Sequence, residues 1–489
     1  MWDQIKELLT YNPQTPMVFN SGLFLWLFAA FFLVYVLLQH QRKARMLFVL
    51  LFSYYFYYKS SGTYFFLLAF VTVSDFLIAR RMSLMSSQRS RRLMVALSVA
   101  IDLSLLGYFK YTNFFAGILS SITGGTFGPF DIFLPVGISF FTFQSLSYTI
   151  DVYRGTIKPI GSLLDYAFYV SFFPQLVAGP IVRARDFIPQ LYRPIVVTDA
   201  MMGRGIALIV AGLIKKVVIS DYISVNFVDR VFDNPLLYSG IENLMAVYGY
   251  ALQIYCDFSG YSDMAIGIAL LLGFHFNINF DSPYKSASVT EFWHRWHISL
   301  SSWLKDYLYI SLGGNRKGKI RQYANLIITM LLGGLWHGAS WNFVLWGSMH
   351  GVALALHKGF RSLLGRDKHY VSTGWRKVGA VLLTFHFACL CWIFFRQRDM
   401  LQAFDMIGQI FSNFSLQLLP QVVSGYRVVF VLMALGYAAH FVPDRWMNGF
   451  NNLVTRLPLL GKALLLVAAI WLVIQMKGTA IQPFIYFQF

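Results

Sequence analysis

Long apolar runs alternate with short basic turns along nearly the whole sequence, and this alternation constrains the fold more than any other feature. A helix that crosses a bilayer needs about 20 mostly apolar residues. Backbone polar groups cannot be left unpaired in lipid, so such runs indicate helices. The first clear run covers residues 17–39 and ends at the basic turn 41–45. The sequence therefore predicts an all-α, polytopic integral membrane protein.

The composition is consistent with lipid as the solvent and excludes a soluble chain. Apolar residues make up 57% of the sequence and charged residues 13%, against about 25% charged residues in soluble domains. The 40 Lys and Arg exceed the 22 Asp and Glu, which gives a formal net charge of +18. These cations lie in short loops between apolar runs, which is typical of the cytoplasmic loops of membrane proteins. We therefore expect membrane lipid as a partner, and no nucleic acid.

Hydropathy predicts about 11–13 membrane segments, including short or re-entrant ones. A second run reaches Tyr58, and a third covers 63–79. The runs 242–274 and 322–357 are each long enough to hold two segments or a re-entrant hairpin. The other candidate spans lie at about 94–112, 132–150, 162–182, 203–220, 376–395, 426–442 and 462–476.

Two basic loops predict the orientation of the chain. Residues 41–45 and residues 80–92 are both rich in Arg and Lys, and they lie two spans apart. They therefore fall on the same side, which the positive-inside rule makes cytoplasmic, with the N-terminus external. Residues 1–16 carry a weak signal for a short helix that lies in the membrane interface on the external side. No internal repeat is visible, which disfavours a repeat-built transporter.

Polar residues interrupt the apolar pattern between 255 and 350, where they are costly at membrane depth and are retained for function or for pairing. Residues 288–300 predict an amphipathic helix, with Ser288 three residues before Glu291 as in a capping box. His294 and His297 are also three residues apart and are expected to share a face of that helix. The pair fits either a functional site or an interfacial helix without chemistry.

A second polar patch centres on His337, inside the stretch 324–356 that contains no Asp, Glu, Lys or Arg. The neighbouring Gly333, Gly334 and Gly338 allow close helix approach or a local break in the helix. A histidine in such a place can be a neutral base, a proton shuttle or a packed structural residue. The residues alone leave these alternatives open.

Motifs for other kinds of chemistry are weak. Two histidines at helical spacing suit zinc, but spacing supplies no carboxylate ligand for a site made of His294, His297 and His337. The run 313–319 has the spacing of a phosphate-binding loop but is followed by Ile320 instead of Ser or Thr. It is predicted to be a basic cytoplasmic turn.

Cysteines and one isolated acid are predicted to be structural. The odd number of cysteines, Cys256, Cys389 and Cys391, fits neither a disulfide framework nor a zinc site. They are expected to be buried packing residues. Asp102 lies within an apolar run and is predicted to bond to a neighbouring helix.

Five motifs in order identify a family. They are residues 172–181 (FFPQLVAGPI), 257–265 (DFSGYSDMA), 292–300 (FWHRWHISL), 303–310 (WLKDYLYI) and 335–338 (LWHG). With the terminal 483–489, they give the chain a close resemblance to the membrane-bound O-acyltransferase (MBOAT) superfamily, within it the bacterial alginate O-acetyltransferase (AlgI-like) branch. The resemblance covers nearly the whole chain and implies helices around a central tunnel. It implies one membrane-embedded domain over 1–489, made of N-terminal helices (1–130), a motif-bearing catalytic core (131–357) and C-terminal helices (358–489).

The resemblance also implies roles for two histidines. His337 matches the near-invariant histidine of the family, and His297 matches its second important polar residue; no role carries over to His294, and no metal is expected. A sugar hydroxyl is a poor nucleophile at neutral pH, and a histidine with a pKa near 6.5 is suited to take its proton. We predict that His337 is this base, and that His297 orients the acceptor or stabilises the oxyanion.

Substrates and partners follow from the same resemblance. The expected donor is a cytoplasmic acyl thioester, acetyl-CoA, which is a substrate rather than a permanently bound cofactor. The expected acceptor is an exported polysaccharide, or a periplasmic SGNH-type acetyltransferase partner resembling AlgJ or AlgX that relays the group. The chain would then lie in the bacterial inner membrane. Four basic residues either contact the CoA phosphates or serve only as a topology signal: Arg316, Lys317, Lys319 and Arg321.

Two other functions stay open at this stage. One is D-alanyl transfer to teichoic acids, in which the acyl group comes from a carrier protein. The other is non-enzymatic transport of acyl groups or glycans. The run 303–310 and the chain length favour the polysaccharide-acetylating branch, and the absence of repeats disfavours transport.

Overall fold

The structure, a computed structural model, describes residues 6, 8–365, 372–476 and 484–485. These residues form helices and no strand, which confirms the predicted all-α membrane fold. The α-helices are α1 (Gly22–Leu37), α2 (Arg42–Ser61), α3 (Phe65–Ser83), α4 (Gln88–Leu106), α5 (Thr112–Thr123), α6 (Ile138–Arg154), α7 (Leu163–Ser171), α8 (Phe173–Leu176), α9 (Ala184–Leu191), α10 (Asp199–Leu213), α11 (Asp229–Asp233), α12 (Gly240–Leu271), α13 (Val289–Arg295), α14 (Ile298–Trp303), α15 (Lys319–His337), α16 (Trp341–Leu363), α17 (Gly374–Arg396), α18 (Met400–Ser412), α19 (Leu419–Gly425), α20 (Arg427–Phe441), α21 (Asp444–Arg456) and α22 (Leu459–Met476).

Long apolar helices account for part of the predicted spans. Within the described ranges, four helical stretches are long and apolar enough to cross a membrane: Arg42–Ser83, Gln88–Thr123, Gly374–Arg396 and Leu459–Met476. The pair Leu416–Gly425 and Arg427–Phe441 bends by 97° and forms a broken fifth candidate. The other helices are shorter or more polar, so the count of 11–13 segments stays a prediction. Most of the terminal 483–489, and residues 1–5 of the predicted interfacial helix, lie outside the described residues.

The chain divides into two compact units, one of Met1–Gly205 with Ala265–Asn277 and one of Ile206–Met264 with Ile278–Phe489. In the first unit, Phe173 packs among aromatic rings of α1 and α2, with ring centroids 5.5 Å from Phe31 and 5.1 Å from Phe52. Asp102 is fully buried on α4, and its carboxylate lies near that of Asp75 on α3. Its predicted hydrogen bond to a neighbouring helix stays a prediction, because neither carboxylate oxygen has a hydrogen-bond partner in the described part of the chain.

One predicted span of the first unit is wrong. Residues 162–182 do not form a continuous helix, because α7 ends at Ser171 and the chain runs through a four-residue helix into buried irregular backbone. Buried side chains satisfy that backbone: Gln144 donates to the Tyr169 carbonyl at 2.8 Å, and the Tyr169 hydroxyl donates to the Val182 carbonyl at 3.0 Å. Irregular backbone is tolerated at membrane depth when protein surrounds it, and hydropathy cannot reveal that.

The two long apolar runs behave differently. Run 322–357 forms a hairpin of α15 and α16 joined at residues 338–340. A hairpin is one of the two alternatives predicted for this run. Run 242–274 is instead the single 32-residue helix α12, so the two-segment alternative is wrong there. A Cβ on Gly260 of this helix would come 2.8 Å from the carbonyl oxygen of Gly212 on α10. The small residue thus allows close contact between helices and does not break α12.

Buried and partly buried ion pairs hold the start of the polar middle region in the second unit. Lys216 lies 2.5 Å from Asp257 and 2.7 Å from Asp221, and its side chain is 3% exposed. The neighbouring Lys215 pairs with Asp263 at 2.7 Å. The acids of the motif 257–265 are therefore paired with cations. Of the two reasons for keeping charge at this depth, function and pairing, these contacts support pairing.

We expect Lys216→Met to lower the stability of the protein, because it leaves the buried Asp257 carboxylate without its cation. Breaking a buried pair from one side costs about 3–5 kcal/mol. The measurement is the thermal unfolding midpoint in detergent. The double variant Lys216→Met/Asp257→Leu should recover much of the loss, and an unchanged midpoint in the single variant would contradict the pairing.

Candidate active site

His337 is the last residue of α15 and is 3% exposed. Its imidazole lies in an aromatic box, with ring centroids 5.0 Å from Trp336, 5.0 Å from Trp346 and 5.2 Å from Phe395. The backbone turns out of the helix directly after it, since Gly338 is extended at φ −163°. Of the two alternatives that the neighbouring glycines allow, a local break in the helix is thus present beside His337.

Glycines place His337 by bringing the two helices of the hairpin together. A Cβ on Gly334 would collide with the backbone carbonyl oxygen of Phe343 and lie 3.0 Å from Cα of Gly347. A Cβ on Gly338 would collide with the ring of Phe343. The small residues around the histidine are therefore needed for contact between α15 and α16, and this contact fixes the end of α15.

His297 lies at a break between two short helices. The predicted continuous helix over 288–300 is wrong, because α13 ends at Arg295 and His297 has a left-handed backbone with φ 43° and ψ 56°. The start of the predicted helix is confirmed, since the Glu291 amide donates to Ser288 Oγ at 3.2 Å. His294 and His297 consequently do not share a helix face. His294 is exposed, whereas His297 is 0% exposed.

Backbone pairing with the preceding segment holds the break at His297. The Ile298 amide donates to the Asn279 carbonyl at 2.9 Å, and the Asp281 amide donates to the Arg295 carbonyl at 2.9 Å. The Arg295 guanidinium also contacts the Asp281 carboxylate at 3.0 Å. A non-glycine residue in the left-handed region costs of order 1–3 kcal/mol and persists only where its surroundings enforce it. Such enforced strain is a common property of functional sites.

The two predicted histidines converge on one indole. The ring of Trp336 lies 6.1 Å from that of His297 and 5.0 Å from that of His337, measured between centroids. Phe258, from the motif 257–265, packs edge-on against His297 at 4.6 Å. Three of the five sequence motifs thus meet in one buried cluster of aromatic side chains within the second unit.

A basic cavity of about 690 Å³ lies in the same unit, beside the turn that precedes α15. Of the four predicted basic residues, Arg316 and Lys319 line it, whereas Lys317 and Arg321 are not among its lining residues. Its lining also includes His294 and, within the described part of the chain, no acidic residue. Three further cations complete the lining: Lys305, Lys358 and Arg361. The turn 313–319 contains three glycines with positive φ, and it does not follow a strand. It is therefore not a phosphate-binding loop of the strand–loop–helix type.

Sequence reasoning missed residues that contact the candidate histidines only after folding. Asn279 bonds to His297 and lies eighteen residues earlier, and His350 lies in the aromatic box 4.8 Å from Trp346. One signal was available for Asn279: Asn277, Asn279 and Asp281 alternate with apolar residues a few positions after the long helix α12. Nothing in the spacing links His350 to the site.

Other predicted sites are structural. The three cysteines are buried and free, which confirms the packing role predicted for Cys256, Cys389 and Cys391. Over the described ranges, no group of three His, Cys, Asp or Glu is placed to hold a metal ion.

Comparison with known proteins adds a family and several relatives. Residues 157–397 match the model of the MBOAT, membrane-bound O-acyltransferase family. The chain is 37% identical to the probable alginate O-acetylase AlgI of Pseudomonas putida, over 97% of this chain and 100% of that protein. It is 39% identical to the peptidoglycan O-acetyltransferase of Helicobacter pylori, over 68% of each. It is 28% identical to the teichoic acid D-alanyltransferase of Bacillus subtilis, over 53% of this chain and 68% of that protein.

Proposed function

The chain belongs to the membrane-bound O-acyltransferase family and is an O-acyltransferase, and from this premise we propose its donor, acceptor and site. The proposed reaction moves an acetyl group from acetyl-CoA on the cytoplasmic side to hydroxyls of an exported polysaccharide. The thioester bond breaks, an ester bond to the hydroxyl oxygen forms, and the hydroxyl proton leaves with the free thiol of CoA. His337 is the base that takes that proton, and His297 acts on the acceptor or on the oxyanion.

The observation that carries the proposal is the convergence of His297 and His337 on Trp336, deep in the protein. Both imidazoles are almost fully buried, so water competes little with a bound hydroxyl. A positioned histidine base contributes about 10²–10⁴-fold to such a transfer. Donors aimed at the oxyanion act more strongly in a low-dielectric site.

The basic cavity supports a polyanionic donor. Five cations line it and no described acidic residue does, so it attracts the phosphates of a nucleotide thioester. Its volume of about 690 Å³ suits a small-molecule ligand, for which pockets of roughly 300–1,000 Å³ are usual. We therefore assign the phosphate end of acetyl-CoA to this cavity, as a transient substrate.

The acceptor proposal draws on the relatives, two of which are named for O-acetylation of alginate or peptidoglycan. A polysaccharide outside the cell cannot reach cytoplasmic acetyl-CoA, which explains why a membrane protein would catalyse the step. A periplasmic SGNH-type partner that relays the group to the polysaccharide is compatible with the same chemistry. The proposal places the chain in the bacterial inner membrane with an external N-terminus.

The donor can be tested with native membranes, which retain the polysaccharide and any relay partner. Membranes receive [¹⁴C]acetyl-CoA, or a carrier protein charged with labelled D-alanine, and label in the polysaccharide or in a partner protein is counted. We expect label from acetyl-CoA in wild-type membranes and only background in membranes that lack the chain. Label from the charged carrier alone would replace the proposal with D-alanyl transfer. Transfer that does not depend on the chain would contradict an enzymatic role in this step.

Replacing a cavity cation should weaken donor binding. We expect Arg316→Gln to raise the KM for acetyl-CoA several-fold with little change in kcat, because it removes uniform binding of the donor phosphates. Lys317→Gln is the matched control, since it removes the same charge from the adjacent residue, which does not line the cavity. The readout is initial rate against acetyl-CoA concentration in native membranes. If both variants raise the KM for acetyl-CoA equally, the positive charge acts only through membrane topology or through the overall electrostatic field of the protein.

A further inference from the structure

Asn279 contacts His297 through a side-chain oxygen that lies within hydrogen-bonding distance of three polar atoms. Oδ1 lies 3.2 Å from His297 Nδ1, 3.1 Å from the Ser299 amide nitrogen and 2.9 Å from Ser299 Oγ. Its Nδ2 donates to Ser262 Oγ at 3.2 Å. Asn279 is itself 1% exposed, so these contacts hold the amide in one orientation.

The backbone amide of Ser299 decides which end of the asparagine faces the histidine. A backbone N–H can only donate, so the asparagine atom 3.1 Å from it must be the oxygen. The same oxygen faces His297 Nδ1, and a contact between two acceptors would be repulsive. Nδ1 therefore carries the proton, and in the neutral ring the lone pair lies on the opposite nitrogen, Nε2.

We infer that Asn279 is a positioning residue that holds His297 as the Nδ1–H tautomer, so that Nε2 accepts a hydrogen bond from the acceptor substrate. This inference rests on the proposed function and selects between the two roles that it allows for His297. A neutral imidazole with its proton on Nδ1 has no Nε2 proton to give to an oxyanion. It can instead accept from a hydroxyl next to the reacting one, while the reacting hydroxyl gives its proton to His337.

The backbone of the same asparagine supports this assignment. Its carbonyl oxygen accepts a hydrogen bond from the Ile298 amide at 2.9 Å, so the residue that faces the ring of His297 also helps to hold its left-handed backbone. Sugars carry neighbouring hydroxyl groups, and a fixed acceptor nitrogen would select their orientation. The reacting group is thereby held in a near-attack geometry, in which a displacement of about 1 Å can cost on the order of 100-fold in rate.

A double-mutant cycle tests the inference. Asn279→Leu keeps a similar volume but removes the acceptor, and we expect kcat for acetyl transfer in native membranes to fall on the order of 100-fold. The KM for acetyl-CoA should not change. In a His297→Ala background the same substitution should cost at most about twofold, because Asn279 acts through His297. Asn279→Asp, which retains an oxygen acceptor at this place, should recover most of the rate.

Asn243→Leu is the matched control. Asn243 is equally buried. In the described part of the chain, its side-chain amide donates to backbone carbonyls, such as those of Pro235 and Tyr238. Its substitution should lower the thermal midpoint while kcat per folded molecule stays unchanged, in the presence or absence of His297. A loss from Asn279→Leu that persists in full in the His297→Ala background would overturn the inference and leave Asn279 a structural residue. Wild-type membranes that do not use acetyl-CoA would instead overturn the proposed function.

Discussion

His337→Ala is expected to lower acetyl transfer by about 10²–10⁴-fold, because the hydroxyl loses the base that takes its proton. His337 is 3% exposed, and its substitution by alanine removes a ring that packs among buried aromatic side chains. We therefore expect some loss of stability as well. His337→Gln nearly preserves the side-chain volume and can still form hydrogen bonds, but it cannot take a proton near neutral pH. We expect it to be almost as inactive as His337→Ala while retaining more of the wild-type thermal midpoint.

The control for this experiment is His275→Ala. His275 has an exposed side chain, and its bonds to Gln190 are made by its backbone. Its substitution should leave transfer within about twofold of wild type. Rates are taken from label transfer in native membranes and divided by the amount of folded protein. Wild-type transfer by folded His337→Gln would contradict the proposed base.

Gly334→Ala is expected to disrupt the α15–α16 hairpin and with it the placement of His337. The added methyl meets backbone atoms, the carbonyl oxygen of Phe343 and Cα of Gly347, and backbone cannot rotate away as a flexible side chain can. Overpacking of this kind costs about 1–3 kcal/mol or more. We expect a lower thermal midpoint and a parallel loss of transfer.

Helix propensity alone predicts that Gly334→Ala stabilises the protein, which is the opposite of the expected result. The substitution therefore distinguishes helix propensity from close packing. Alanine in a helix interior is favoured over glycine by roughly 1 kcal/mol when nothing opposes it. Gly359→Ala on α16 is the matched control, because its Cβ would meet only the Tyr323 hydroxyl, at an ordinary 3.8 Å. Gly359→Ala should be neutral or stabilising. If Gly334→Ala also stabilises the protein, the close approach of the two helices is wrong.

Hydropathy predicted the fold class well because lipid leaves few structures available to an apolar chain. It failed where protein, rather than lipid, surrounds the backbone. The run 162–182 looks like a span, yet buried donors such as Gln144 and Tyr169 allow it to leave the helix. The length of the run 242–274 was also a poor guide, since the run forms the single helix α12, in which Gly260 serves contact with Gly212 and not a break.

The candidate site was predictable to the level of individual histidines but not of their surroundings. His337 could be singled out because it is a polar residue inside an uncharged run, and His297 because of the motif around it. The left-handed backbone of His297 could not be anticipated, since it depends on bonds to Asn279 and Asp281 in a separate segment. Long-range contacts of this kind have no periodic signature in a single sequence.

The most direct test of the proposed reaction measures its sidedness. Sealed inside-out vesicles of native membranes receive [¹⁴C]acetyl-CoA on their outer, cytoplasmic face, and labelled ester is then treated with an acetylesterase that cannot cross the membrane. We expect polysaccharide ester that resists the esterase until detergent opens the vesicles, and almost none with His337→Gln. Ester that the esterase removes from intact vesicles, or protected ester formed equally by His337→Gln, would contradict transfer across the membrane through this histidine site.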